Sequence, residues 1–200
     1  RLRNNKITIR PIAGTRPRGL SSKQDKFYKN QLLNDKKELS EHLMLLDLGR
    51  NDVGKVSKVN SVKVSEKFKV EKYSHVMHIV SNVVGKFDKK HSLLDTMLAG
   101  FPAGTVSGAP KIRAMEIIDE LEQNKRKMYA GAIGYFSANK SFDTCIALRT
   151  ALIKNNKFFI QSGAGIVADS VPEKEYIETV NKAKALINSL SWLYENTINW

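Results

Sequence analysis

Apolar residues recur at helical spacing in several stretches of this chain, and each of these stretches predicts a helix. The clearest one, ELSEHLMLLDLGRND, runs from Glu38 to Asp52 and places Leu39, Leu43 and Leu46 on one face. The polar segment before it, residues 21–37, is expected to be a surface stretch that leads into this helix. The other predicted helices are Leu93–Leu98, stopping at Gly100; a helix after Pro110 that buries Ala114, Ile117, Ile118 and Leu121; and a helix from about Pro172 to Leu190.

A period of two residues replaces the helical pattern elsewhere and predicts strands. The run Tyr73–Val84 is expected to be a strand, with His78 on the face opposite Met77 and Ile79. A half-buried strand pair is predicted before it, from the alternation of Val62, Val64, Phe68 and Val70 with Lys and Ser. Three more strands form a predicted antiparallel meander: Tyr129–Ser137, Asp143–Ile153 and Lys157–Ser162. Near the N-terminus, a short alternating piece at residues 6–10 is followed by a predicted loop rich in Pro, Gly and Arg at 11–19.

Composition places the chain among soluble globular proteins. Its 200 residues suffice for one domain with a sizeable core, and no internal boundary suggests a second domain, so 1–200 is predicted to be a single domain. No apolar run reaches the length of a membrane span, and the N-terminus carries no secretory pattern. The single cysteine, Cys145, excludes an internal disulfide and fits a reducing cytosol. We therefore expect a cytoplasmic protein that has no membrane partner.

The net charge of +13 allows two interpretations. One is a basic nucleic-acid-binding module, but the lysines are dispersed and no aromatic and basic stripe is present. The other is a compositional bias toward Lys and Asn, with part of the charge serving an anionic substrate. We favour the second interpretation and expect no nucleic-acid partner.

Two pairs of glutamates have the spacing that brings carboxylates to the same side of a helix. Glu38 and Glu41 form the first pair, and Glu175 and Glu178 form the second, shortly after Pro172. Like charges at this spacing repel by about a few tenths of a kcal/mol, so a positive partner would stabilise them. Magnesium, which takes oxygen ligands, is one such partner. Four solvated surface carboxylates are the alternative that the spacing leaves open.

Other residues suggest places for an anion. Arg149 shares a face of its predicted strand with small residues, which resembles a floor with room for a ligand carboxylate. An Arg on an uncovered face of a sheet would have the same pattern. Gly163-Ala164-Gly165 ends the last strand and allows close backbone approach. The loop with Gly104 and Gly108 feeds a helix N-terminus, which offers N–H groups to an anion, although a plain turn explains it as well.

Taken together, eight stretches of the chain resemble the chorismate-utilising enzymes, and most closely the large synthase component of anthranilate synthases. They are PIAGT at 11–15, ELSEHLMLLDLGRND at 38–52, YSHVMHIVS at 73–81, GTVSGAPKIRAMEII at 104–118, YAGAIGYF at 129–136, DTCIALRTA at 143–151, QSGAGIVADS at 161–170 and PEKEYIET at 172–179 with Asn181-Lys182. The resemblance extends from about Arg10 to Leu190. Members of this family are considerably longer, so the chain is expected to correspond to their C-terminal catalytic half. The departures are mild: the connection between Thr15 and Glu41 is short, and Gly49 stands where Ala is common.

The resemblance implies an α/β fold of the α+β type, in which antiparallel sheets are flanked by helices. It also implies magnesium as cofactor, with Glu41 and Glu178 as ligands and with Glu38 and Glu175 beside them or linked through water. Lys182 would form an i, i+4 ion pair with Glu178. The other implied roles are catalysis for Glu38, His78 and Thr105, and substrate binding for Gly14, Thr15, Tyr129, Arg149, Gly163, Ala164, Gly165 and Lys182.

The implied reaction adds ammonia to chorismate with loss of its hydroxyl and then eliminates pyruvate to give anthranilate, the first step of tryptophan biosynthesis. Glu38 is expected to be the general acid for loss of hydroxide. His78 would act near the aromatising step, or would be a structural strand histidine. Glutamine would serve as nitrogen source only through an amidotransferase partner subunit.

Aminodeoxychorismate synthase and isochorismate synthase are the nearest enzyme alternatives. Many aminodeoxychorismate synthases carry Lys at the position of Ala13, where the amine can attack the ring covalently. They also tend to have Ser-Ile-Thr-Gly where this chain has Thr-Val-Ser-Gly at 105–108. Both differences favour anthranilate as the product.

Overall fold

The computed structural model describes residues 1–197, with side chains described through residue 188 except at residue 185. The helices are α1 (Ser22–Asn34), α2 (Lys36–Lys55), α3 (Leu93–Ala99), α4 (Lys111–Leu121) and α5 (Pro172–Thr197), with a short 3₁₀ helix at Gly104–Val106. The strands are β1 (Leu2–Arg3), β2 (Lys6–Ile9), β3 (Ile12–Pro17), β4 (Lys63–Lys72), β5 (Val76–Lys86), β6 (Ala132–Phe136), β7 (Phe142–Ile146), β8 (Ala151–Lys154) and β9 (Lys157–Ile160). Helices combined with antiparallel strand pairs confirm the predicted α+β class.

The chain forms two compact units. The first contains Arg1–Leu121 and Gly134–Thr144, and the second contains Glu122–Ile133 and the residues from Cys145 onward. The prediction that the 200 residues form a single domain stays a prediction.

The first unit is built on β5 and on the helix that packs against it. Strand β5 pairs antiparallel with β4, with β3 and with β2, and the sheet continues through β1, β7 and β6. Helix α2 begins at the N-cap Asp35, whose side chain accepts the N–H of Glu38. Its apolar face supplies Leu46 and Val53 to a core that also contains Val83 of β5. The helix predicted around residues 38–52 is therefore confirmed, and its burial against β5 holds it in place.

Two local predictions were wrong, and one helix was not predicted, each for an identifiable reason. Residues 22–34 form the helix α1, which begins at the N-cap Ser21 and buries Leu32, so its apolar stripe is too narrow to read as periodic. The predicted loop 11–19 is mostly the strand β3, in which Gly14 lies at an irregularity with a φ of +72°. Pro11 precedes this strand and Pro17 is its last residue. The predicted strand at 143–153 is two strands, β7 and β8, because Arg149 between them adopts a left-handed φ of +53°.

The apolar side of α4 is also less buried than its spacing predicts. Helix α4 forms where expected, but Ile117 is 39% exposed and Leu121 is 75% exposed. Amphipathic spacing identifies an apolar face, but it does not show whether that face is covered within the described residues. Helix α3 ends at the predicted Gly100, and α5 begins at Pro172 and continues past the predicted end at Leu190.

Replacement of Gly49 by Ala is expected to stabilise the protein. Gly49 is a buried interior residue of α2, and a Cβ there would lie 3.5 Å from Ile9 Cγ2, 3.5 Å from Pro11 Cγ and 3.7 Å from Val83 Cγ2. These are ordinary contact distances, and glycine in a helix interior costs about 0.5–1 kcal/mol relative to Ala. We expect Gly49→Ala to raise the free energy of unfolding by about 1 kcal/mol, measured by denaturant titration.

Gly54→Ala is the matched control, since it adds the same methyl group near the end of the same helix. Among the described residues no atom lies within 4 Å of a Cβ at Gly54, so the gain there should be smaller. A loss of stability in Gly49→Ala would contradict the described packing.

A buried carboxylate near the start of α1 should make stability depend on pH. The side chain of Asp25 is 7% exposed and accepts hydrogen bonds from Arg18 Nη2 at 2.8 Å, Gly19 N–H at 2.8 Å and Lys72 Nζ at 3.0 Å. These contacts, those of Arg18 above all, hold the pKa of Asp25 well below its ordinary value of 3.8. The Asp25 carboxylate therefore stabilises the folded state fully at pH values above its ordinary pKa. This stabilisation is lost as the pH falls below the ordinary pKa toward the lowered one.

Asp25→Asn should therefore lower the unfolding temperature by several degrees near neutral pH. The difference from the unmodified protein should shrink when thermal unfolding is repeated at about pH 3. Asp47→Asn is the control, because Asp47 forms an exposed pair with Arg50 that should contribute little at either pH. If Asp25→Asn lowered the unfolding temperature by the same amount at both pH values, the role of the Asp25 charge would be contradicted.

Candidate active site

Four of the predicted site residues come together in the first unit, where β3 meets β5. His78 of β5 donates its Nδ1–H to the carbonyl oxygen of Gly14 at 2.9 Å, and the same nitrogen lies 3.1 Å from the Thr15 hydroxyl. Because a carbonyl oxygen can only accept, Nδ1 must carry the proton. The other ring nitrogen, Nε2, is then the basic one in the neutral imidazole, and it is the nitrogen suited to accept a proton from a substrate.

Glu38 lies against the same segment of β3. A Cβ at Gly14 would lie 3.1 Å from Glu38 Oε2 and 2.9 Å from Leu32 Cδ1, so only glycine leaves room for both neighbours. The left-handed φ of Gly14 also disfavours a side chain at this position. Gly14 therefore allows the carboxylate of Glu38 to approach the backbone next to His78.

Arg16 is the residue of this cluster that sequence reasoning missed. Its Nη2 donates to Asp35 Oδ2 at 2.7 Å, its Nη1 donates to Glu38 Oε1 at 3.3 Å, and its Nε donates to Gln31 at 3.1 Å. The cation that the Glu38–Glu41 spacing called for is thus supplied in part by a side chain of β3. The only signal in the sequence was the arginine-rich character of the segment after PIAGT.

Glu41 follows Glu38 by one helical turn and is partly buried. The next residue, His42, is completely buried, with its Nε2 2.7 Å from the Ser81 hydroxyl and its ring packed against Phe68. Burial lowers the pKa of His42, because the charged imidazolium is poorly solvated there. His42 thus favours its neutral form and fixes α2 against β5 directly beside Glu41.

Thr105 lies in the 3₁₀ helix Gly104–Val106 and is exposed. A Cβ at Gly104 would overlap Leu48 of α2, so glycine permits this segment to approach the helix closely. The Ser107 hydroxyl donates to Ala103 O at 3.0 Å and tightens the turn. The structure therefore places Thr105 on a short segment packed against the middle of α2.

In the second unit, Lys182 connects three of the predicted residues. Its Nζ lies 2.6 Å from Glu178 Oε1 and donates to Gly163 O at 2.9 Å. The predicted i, i+4 ion pair of α5 is confirmed. Arg149 Nη1 donates to Lys182 O at 3.3 Å, so Arg149 contacts α5 directly instead of lying on a flat strand face.

Tyr129 contributes a hydroxyl to the same group. A Cβ at Gly163 would lie 2.9 Å from the Tyr129 Oη, which shows how closely the ring approaches this backbone. Arg126 lies 5.8 Å from the centre of the Tyr129 ring and also pairs with Glu122. Burial raises the pKa of Tyr129, so its hydroxyl remains a hydrogen-bond donor. Arg126 is a second supporting residue that its sequence context did not reveal.

The two carboxylates of α5 differ in environment. Glu175 is 6% exposed, whereas the side chain of Glu178 is 49% exposed. The pair with Lys182 uses Oε1 of Glu178, so Oε2 remains able to bind a cation. Ala164 is partly buried and Gly165 is exposed, directly after the carbonyl that Lys182 holds.

The arrangement inside each unit provides carboxylate oxygens but not a complete metal site. Among the described residues, His, Cys, Asp and Glu side chains form no group of three or more that could hold a metal ion. Oxygen donors such as Glu41 and Glu178 are the type that magnesium takes, and magnesium commonly keeps waters beside one or two carboxylates. Each unit therefore contains carboxylates of the type that magnesium takes, and magnesium binding stays a prediction.

Comparison with known proteins identifies the family. The chain matches the chorismate binding enzymes over residues 1–188 and belongs to that family. Anthranilate synthase component 1 of Cereibacter sphaeroides is 63% identical over 186 residues, which cover 93% of this chain and 37% of that protein.

Two solved structures have a similar fold. Anthranilate synthase component I from Streptococcus pneumoniae has a TM-score of 0.83 at 48% identity, with 92% of this chain and 40% of that chain covered. The menaquinone-specific isochorismate synthase from Escherichia coli has a TM-score of 0.82 at 27% identity, with 92% and 42% covered. The chain thus spans about two fifths of the length of these three proteins. Within the described part of the chain, no helix has the length and apolar character needed to cross a membrane.

Proposed function

We propose that the full-length protein containing this chain is an anthranilate synthase component I, which converts chorismate and ammonia to anthranilate, pyruvate and water. The observation that carries the proposal is the 63% identity with the component 1 of Cereibacter sphaeroides over nearly the whole chain. Fold similarity alone does not decide the reaction, because the TM-scores of 0.83 and 0.82 are nearly equal for the two kinds of synthase. Sequence identity does separate the two kinds, because it is 48% with the anthranilate synthase and 27% with the isochorismate synthase.

In this proposal the first unit supplies proton transfer. The His78 ring is oriented by the Gly14 carbonyl, which leaves Nε2 to accept the ring proton that is lost when the product becomes aromatic. Glu38 acts as general acid when the chorismate hydroxyl leaves, and the Thr15 hydroxyl helps to orient His78. Thr105 is proposed to contact the substrate from its exposed 3₁₀ helix.

The second unit is proposed to bind the carboxylates of chorismate. The Arg149 guanidinium and the Tyr129 hydroxyl are donors suited to the enolpyruvyl group, and the backbone N–H groups of 163–165 are suited to carboxylate oxygens. Lys182 supports this arrangement, since it is bonded to both Gly163 and Glu178. The proposal therefore assigns anion binding to residues that contact one another in the structure.

Magnesium is the proposed cofactor. Glu41 and Glu178 would be its carboxylate ligands, and Glu38 and Glu175 would stand beside them or interact through water. When bound, the ion would hold a carboxylate of chorismate and offset negative charge. Because Glu175 is buried and Glu178 is exposed, the direct ligand role falls more naturally to Glu178.

The proposed nitrogen source is free ammonia, or glutamine when an amidotransferase subunit is present. The name component 1, carried by the relatives, implies that those proteins have a second component. Cytoplasmic location stays a prediction that rests on the single cysteine and the biosynthetic role.

The product formed from chorismate, magnesium and ammonia by the full-length protein tests the proposed function. Fluorescent anthranilate with an equal amount of pyruvate is the expected result. Accumulation of 4-amino-4-deoxychorismate without pyruvate would contradict it, as would isochorismate formed in the absence of ammonia. Ala13 is 9% exposed and carries only a methyl group, so no covalent attack on the ring can come from this position. The proposal therefore has ammonia attack directly.

A further inference from the structure

An ion pair at the end of α2 opposite Glu38 and Glu41 joins this helix to the start of α4. The Asp52 side chain is 4% exposed and receives two amines, Lys55 Nζ on Oδ1 at 3.1 Å and Lys111 Nζ on Oδ2 at 2.9 Å. Lys55 lies three residues along the same helix and is 50% exposed, whereas Lys111 is 59 residues away in sequence and only 14% exposed. The pair with Lys111 is therefore the one that connects separate parts of the fold.

Both members of this pair occupy helix positions that local electrostatics disfavours. Asp52 lies in the last turn of α2, where the helix dipole favours cations, and Lys111 is the first residue of α4, where the dipole favours anions. Removing either charge from water is costly unless it is paired. The stability of each helix by itself therefore does not explain why Asp52 and Lys111 occupy these positions. Their contact with each other does explain it.

The segment between residues 100 and 111 is attached to α2 at two points. Gly104 packs on Leu48, and Lys111 bonds to Asp52, which lies one helical turn further along α2. The exposed Thr105 lies between these attachments. The same helix carries Glu38 and Glu41 in its first two turns.

We propose that Asp52 and Lys111 are positioning residues that hold the 100–110 segment, and with it Thr105, in register with the carboxylates of α2. The proposal rests on the proposed function, because it assumes that Thr105 contacts chorismate. Neither Asp52 nor Lys111 is proposed to touch the substrate. Their effect on the reaction acts through the position of the segment.

Lys111→Met in the full-length protein tests the proposal, with Lys55→Met as matched control. Both substitutions remove one amine from the same carboxylate, but only Lys111 reaches the segment. We expect Lys111→Met to lower kcat/KM about tenfold to a hundredfold, chiefly through a higher KM for chorismate. Lys55→Met should leave both parameters nearly unchanged, and Lys111→Arg should restore most of the loss.

Hydrogen exchange at the segment gives a readout that does not depend on activity. The N–H groups of Val106 and Ser107 donate to Ala103 O at 3.1 Å and Gly104 O at 3.2 Å, so their exchange reports on the 3₁₀ helix directly. Faster exchange in Lys111→Met but not in Lys55→Met is expected. Equal exchange in both variants, or an unchanged KM in Lys111→Met, would overturn the proposal.

The double variant Asp52→Asn with Lys111→Met separates positioning from stability. It removes both buried charges, whereas Lys111→Met leaves the buried Asp52 carboxylate with the half-exposed Lys55 as its partner. The double variant should therefore recover unfolding temperature relative to Lys111→Met. The double variant should nevertheless keep the raised KM and the faster hydrogen exchange. If KM and exchange returned to normal together with the unfolding temperature, a positioning role would be contradicted. If the unmodified protein made no anthranilate, the proposed function would fail. The hydrogen-exchange result would still show whether Lys111 holds the 100–110 segment against α2.

Discussion

Glu178→Gln and Glu41→Gln are each expected to reduce magnesium-dependent turnover of the full-length protein by about a hundredfold or more. An amide keeps the size of the side chain but lacks the charge that a divalent cation requires. The fold should be nearly intact, because Glu178 is half exposed and its ion pair with Lys182 lies on the surface of α5. The measurements are the rate as a function of magnesium concentration and the unfolding temperature of each variant.

Glu173→Gln provides the matched control for this pair of variants. Glu173 lies in the first turn of the same helix as Glu178, is exposed, and has no proposed role at the site. It should retain normal turnover and a normal dependence on magnesium. Full activity in both Glu41→Gln and Glu178→Gln would remove the metal assignment.

Glu38→Gln is expected to give the second large effect, with a different signature. An amide cannot donate the proton that the leaving hydroxyl needs, so kcat should fall by about 10²–10⁴-fold. Magnesium binding should be preserved, because Glu38 is not proposed as a direct ligand. Turnover measured beside a magnesium titration separates this variant from Glu41→Gln.

The contacts of Arg16 suggest a control for Glu38. Arg16 bonds to Asp35 at 2.7 Å and to Glu38 at the longer distance of 3.3 Å, so Asp35 takes the closer contact with the guanidinium. Asp35→Asn also removes a carboxylate that faces Arg16, and Asn caps a helix about as well as Asp does. Asp35→Asn should keep most activity, and a Glu38→Gln variant that stays active would show that the Arg16–Glu38 pair is structural.

Family membership was predictable from the sequence because its motifs are contiguous and are spread over nearly the whole chain. The match to the chorismate binding enzymes over residues 1–188 confirms it. Identity of motifs does not test individual roles, so the assignments of Glu41, Glu178, Glu38, His78 and Thr105 stay predictions. Product analysis and the variants above address them one at a time.

Local interactions explain the structural features that were predicted correctly. Helix α2 and strand β5 follow from apolar periodicity, α3 ends at its glycine, and the Glu178–Lys182 pair requires only the four-residue spacing of a helix. Each of these features depends on residues that are close to one another in the sequence. The sequence by itself therefore determined these elements and the ion pair inside α5.

Contacts between distant residues were decided only by the tertiary structure. Arg16 meets Glu38 across 22 positions, and Lys111 meets Asp52 across 59 positions. The strand predicted through Arg149 breaks because that residue adopts a left-handed conformation, and the Pro- and Gly-containing segment at 12–17 becomes a strand because β5 offers it a partner. Charge pairing at a distance and strand pairing both depend on which surfaces meet after folding, and no spacing rule within a single element contains that information.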